Sequence, residues 1–155
     1  VTVSAIDGSI VNASFITDAN SAATYDFQTP RAAIRVADQI WVSDQSPSVN
    51  AIYRFDLAGN YLGRVGGNVA GGGLSNVRGL RYIDGVVYAV NAGTANGAPG
   101  AAIVRIATDG TILGSFATTS GSVGTQPWDV MKVGNELFVT DGTARGVLRY
   151  STLGE

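Results

Sequence analysis

Apolar residues in this chain come in short runs cut by Gly, Asn and Asp, and one such pattern recurs. In Pro127–Asp141 (PWDVMKVGNELFVTD), Val130, Met131 and Val133 mark one strand. Gly134-Asn135-Glu136 makes a turn, and Leu137, Phe138 and Val139 mark a second strand that stops at Asp141-Gly142. β-Branched and aromatic runs bounded by Gly, Asn and Asp predict a hairpin. Pro30–Asp44 (PRAAIRVADQIWVSD) and Val77–Asn91 (VRGLRYIDGVVYAVN) align with it without gaps. The alignment places Trp41, Tyr88 and Phe138 at one position, and Asp44, Asn91 and Asp141 at another.

A third strand follows each copy: Ala51–Asp56, Ala102–Ala107 and Val147–Ser151, with Arg54, Arg105 and Arg149 coinciding. Each leads to a turn ending in Gly59, Gly110 or Gly154. A fourth strand is expected at Asn60–Val65 and Thr111–Ala117. At the N-terminus, Val1–Ile6 alternates as a strand, and Ser9–Ile16 reads as an outermost strand because Asp7–Phe15 is similar to Asp109–Phe116. Several strand residues are apolar at adjacent positions, as in Val86–Val90, which suits sheets packed on both faces. In the polar link before the first copy, Tyr25 and Phe27 are expected to cover a gap between sheets.

A period of roughly 45–50 residues with four strands per unit marks a β-propeller. The Pro at the start of a unit, the hairpin ending in Asp and the aliphatic-x-Arg-aromatic strand resemble NHL-type and related six-bladed repeats. The expected fold is an all-β, propeller-like domain of about three four-stranded blades, at roughly 30–65, 77–117 and 127–155, with residues 1–16 supplying an outer blade strand. Rings of this type need about four to eight blades. Either copies of the chain associate into a ring or a filament through complementary terminal strands, each N-terminal strand completing another chain's last blade, or the chain belongs to a longer propeller. For self-association the expected residues are Val1, Val3, Ile6, Ile10 and Phe15 at one end and Val147, Arg149 and Tyr150 at the other. An open arc is expected to expose one apolar face at each end.

Composition narrows the chemistry. The 155 residues contain no Cys and no His, which removes disulfides, thiolate metal sites and the commonest general base. A net charge of −2 argues against a nucleic-acid partner. The apolar runs are strand-sized, so no membrane span is expected. One lysine against nine arginines, with Gly/Ser/Thr-rich loops, suggests an extracellular or cell-surface setting.

Two constellations are candidates for binding. Asp44, Asn91 and Asp141 present oxygens at the ends of the second strands. Converging on a channel they would suit Ca²⁺, and the resemblance implies lactonase-like enzymes with a metal site of this kind; capping of their own turns is the competing role. Arg31, Arg78, Trp128 and Asp129 lie at the start of the inner strands, which family geometry places near the rim of the central funnel. Arginines beside an indole suit carboxylates or sugars; salt bridging between blades is the alternative. The Arg54/Arg105/Arg149 ladder reads as scaffold. The resemblance implies that enzymes of this kind, such as NHL-like lyases, rely on His or a Glu-containing metal site, and this chain has no His and only two Glu. The leading expectation is a non-enzymatic assembly protein without a cofactor. A glycan- or peptide-binding module and a Ca-dependent lactonase-like hydrolase follow.

Overall fold

The computed structural model describes residues 2–3, 6–17, 25–118 and 126–151. Three antiparallel meanders follow one another. The first contains β3 (Pro30–Val36), β4 (Gln39–Asp44), β5 (Ala51–Asp56) and β6 (Tyr61–Gly66), after a hairpin of β1 (Thr2–Val3) and β2 (Ile10–Asn12). The second contains β7 (Val77–Ile83), β8 (Val86–Asn91), β9 (Ala102–Ala107) and β10 (Ile112–Ala117). The third contains β11 (Pro127–Val133), β12 (Glu136–Asp141) and β13 (Gly146–Ser151), with β13 at its edge. Calling these sheets blades 1, 2 and 3, their first strands lie side by side: β3 packs on β7, and β7 on β11.

The blades are apolar on both faces because residues of opposite parity meet different neighbours. Trp41 and Ile52 point from blade 1 toward blade 2, where they meet Leu80, Val87, Ala89, Val104 and Ile106. Tyr88, Val90 and Ile103, on the opposite face of blade 2, meet Val130, Leu137 and Val139 of blade 3. Leu74, in the link between blades 1 and 2, is fully buried in the first interface. Between the strands, hairpin turns use left-handed backbone where required: Asp84 and Gly85 both have positive φ, as a two-residue type I′ turn demands.

The N-terminal strands are shorter than the alternation predicts. Ile6 and Asp7 form a turn instead of extending β1, and β2 ends at Asn12 rather than Ile16. Asp7 and Asn12 cause this. Their side chains accept the main-chain N–H of Ser9 and Ser14, at 3.0 and 2.8 Å, which draws the backbone into turns in place of a ladder.

The ends of the arc are also unequal, where two open faces were expected. Blade 1 turns its outer face toward Ile16, Tyr25 and Phe27, which pack on Val42, Tyr53, Phe55 and Tyr61. Tyr25 stacks edge-on against Phe55 at 5.0 Å. Phe27 aligns with Leu74, so it fills the same inter-blade position in its own repeat. Blade 3 shows the opposite: Met131, Val133 and Val147 are exposed.

Candidate functional site

The inner strands share one irregularity. In each, the pairing register slips near the second residue: between Pro30 and Ala32, between Val77 and Leu80, and between Pro127 and Asp129. A bulge re-aims the side chain it carries. Arg31, Arg78 and Trp128 occupy this equivalent position in the three repeats. Together with Asp129, they line one open cleft of about 450 Å³, which also takes in Ala32, Ala33, Gly79 and Arg81. All four residues expected at the rim therefore meet in one place.

Arg78 is the centre of this cleft. It is only 8 % exposed, yet no carboxylate pairs with it among the described residues. Its Nη1 donates to the Pro127 carbonyl at 2.9 Å, its guanidinium lies 3.9 Å from the Trp128 ring centre, and its Nε has no partner. Burial lowers the Arg78 pKa, Arg31 lowers it further, and Asp141 opposes them. The group remains a cation at neutral pH because guanidinium starts so high. From the other side, Ser43 Oγ donates to the Arg78 carbonyl at 2.6 Å and accepts from Ala32 N at 3.1 Å, which locks blade 1 to blade 2 beneath the cleft.

Sequence reasoning missed three contributors. Arg81 pairs with Asp129 across the blade 2–blade 3 boundary. Gly79 admits the close approach of β11: a Cβ there would lie 2.6 Å from Asp129 Oδ1. Ser43 is the third. None carries a local signal, because each matters only through a strand from the neighbouring blade.

Asp44, Asn91 and Asp141 sit at the ends of β4, β8 and β12, where main-chain groups of their own loops already engage them. Asp44 accepts the N–H of Gln28, Thr29 and Ser46 at 2.8–3.0 Å. Asn91 accepts from Ser75 N at 2.7 Å and donates to the carbonyls of Gly93 and Gly100. Asp141 Oδ1 accepts from Thr143 and Ala144, while its Oδ2 is buried without a partner. Among the described residues, no cluster of three or more His, Cys, Asp or Glu is placed to hold a metal.

The arginine ladder reports what lies beside each blade. Arg54 donates through Nη1 to the Asp109 carbonyl of blade 2 and sits 5.3 Å from the Trp41 ring centre. Arg149, its counterpart in blade 3, pairs with Glu136 of its own sheet, at 2.6 Å.

Of the residues expected to mediate self-association, Val1 lies outside the described residues, Val3 is in β1, and Ile6 and Ile10 are exposed. Phe15 lies against Gly59 in the β5–β6 turn, and Val147 is exposed on blade 3. Tyr150 is the exception. It is buried between blades 2 and 3, with its hydroxyl donating to Thr118 O at 2.7 Å, because alternation along β13 turns it away from the open face.

No known family of domains matches the chain, and no curated protein does. A solved structure does match: catalytically inactive virginiamycin B lyase from Staphylococcus aureus, crystallised with quinupristin, at a TM-score of 0.57 and 18 % identity over 81 % of this chain. The fold is that of an incomplete β-propeller. The likeness extends to architecture alone, and this chain spans 39 % of the length of that protein. Among the described residues, no helix is long and apolar enough to cross a membrane.

Proposed function

We propose that this propeller arc is a non-enzymatic assembly unit, which acts by docking the open face of blade 3 onto blade 1 of a second copy, outside the cell or on its surface. One observation carries the reading: three repeat positions that pack between blades in blades 1 and 2 stay apolar in blade 3 but are less covered there. Val36 and Ile83 pack between blades where Val133 is exposed, and Ile52 and Ile103 are fully buried where Val147 is exposed. Trp41 and Tyr88 are buried where Phe138 is only partly covered. Covering a large apolar side chain contributes about 1.5–3 kcal/mol, so a matching blade gains several times that from these positions together. β13 also offers an unpaired edge.

The test is the mass of the particle by light scattering, with Val147→Asp beside the parent chain. A ring or polymer that Val147→Asp dissociates supports the reading, and a folded monomer at high concentration refutes it. A second reading, in which the remaining blades belong to the same polypeptide, is favoured by the 39 % coverage of the solved propeller. It calls for a monomer that binds apolar dyes until the chain is extended with its flanking sequence.

A further inference from the structure

We propose that the Arg78–Trp128 cleft is a binding site for acidic sugars, taking the carboxylate of a uronic-acid residue on Arg78 and its pyranose ring on the Trp128 indole. The site is built within a single chain and does not depend on assembly.

Arg78 is buried to more than nine-tenths and lines the cleft. Its single described hydrogen bond goes to a main-chain carbonyl, and its Nε is unpartnered. Among the described residues no carboxylate bonds to this cation, Asp141 acting on it only through space, and a guanidinium fork matches a carboxylate in plane and spacing. Around it, the cleft lining carries three guanidinium groups against one carboxylate, and that carboxylate is already paired with Arg81. Arg31, which is exposed at the mouth and among the described residues bonded only to the neutral Gln45 side chain, adds a second positive charge.

Trp128 supplies the other half of the recognition. Arg78 lies over the indole, yet the side chain is still 41 % exposed. Flat apolar surface beside a carboxylate receptor fits a ring with C–H groups on one face and a carboxylate at its rim. The cleft is open rather than enclosed, so a chain of sugars can pass through it. An acidic peptide would satisfy Arg78 but gains nothing specific from the exposed indole, so the two ligand classes separate at Trp128.

Calorimetric titration of the full chain with trigalacturonate, neutral galactotriose and tri-glutamate decides the matter. Trigalacturonate is expected to bind saturably, at least tenfold tighter than galactotriose, and more weakly as salt rises. Trp128→Ala is expected to lower that affinity at least fivefold and Arg31→Gln about threefold. Arg78→Lys keeps the charge but loses the fork, and should lower it tenfold. Because Arg78 is buried, each variant is checked by circular dichroism, and the exposed Arg31 and Trp128 carry the test if Arg78→Lys fails to fold. Absence of binding, equal affinity for the neutral trisaccharide, or tri-glutamate binding equally well and unaffected by Trp128→Ala would overturn the proposal.

Discussion

Blades 1 and 3 carry the same pattern of side chains in different surroundings. Trp41 and Phe138 are equivalent, yet Trp41 is fully buried against blade 2 and Phe138 faces a side with no described neighbour. Arg54 reaches across to Asp109, while Arg149 turns back to its own Glu136. Ile52 is sealed where Val147 is open. The difference lies in what stands beside each blade. A repeat therefore encodes its interface whether or not the partner is present, and an exposed apolar set on one blade can be read from its buried equivalents on another.

The comparison can be broken most sharply with a charge. Ile52→Asp places a carboxylate in the blade 1–blade 2 core and should cost more than about 5 kcal/mol, enough to prevent folding. Val147→Asp, at the same repeat position, should leave the circular dichroism spectrum unchanged. Were both to unfold the chain, the open face of blade 3 would not be open.

Truncation gives the next largest contrast. Trp41→Ala should destabilise by about 3–5 kcal/mol in denaturant unfolding. Phe138→Ala, measured where the chain is monomeric, should cost about 1–2 kcal/mol, because part of the side chain already meets water. A smaller difference is expected between the arginines. Arg54→Gln loses an inter-blade hydrogen bond and the contact with Trp41, about 1–2 kcal/mol. Arg149→Gln loses an exposed ion pair, about 0.5 kcal/mol.

The smallest effect is on pH dependence. Burial raises the pKa values of Tyr53 and Tyr61 at the covered end and of Tyr150 between blades 2 and 3 above 10.0. The folded chain holds these protons more tightly than the unfolded one. Their contribution is complete below pH 10 and is lost as pH rises through the folded values. Asp56 and Asp109 act oppositely: hydrogen bonds within their turns lower both below 3.8, so their contribution is present above that value and fades as pH falls. Unfolding midpoints against pH should therefore form a plateau that declines on both sides. A midpoint that climbs above pH 10 would contradict the tyrosine assignment.

Much of this architecture was legible in the sequence. The third strands Ala51–Asp56 and Ala102–Ala107 begin and end where the Arg-containing pattern places them, because alternation and Gly turns act locally. The N-terminal strands were over-extended, since Asp7 and Asn12 divert the backbone through side-chain bonds that hydrophobic periodicity does not register. At the cleft, gapless alignment brought Arg31, Arg78 and Trp128 to one position, and the bulges turned that equivalence into a shared rim. Arg81, Gly79 and Ser43 escaped notice because their roles exist only once two blades are adjacent. The open face of blade 3 was foreseen. Tyr25 and Phe27 were expected to cover a gap between sheets and they cover the outer face of blade 1, but the unequal ends that result did not follow from the sequence, because the link's polar composition says little about which face its aromatic side chains land on.

Gly79 sets the spacing between β7 and β11. With no side chain there, β7 and β11 approach until the carboxylate of Asp129 occupies the space that a methyl group would fill. A Gly79→Ala chain would have to swing blade 3 outward, widening the wedge between two neighbours. In a ring that error recurs with every copy, and the accumulated angle decides whether the last blade meets the first. The absence of one carbon atom thus sets how closely blade 3 leans on blade 2.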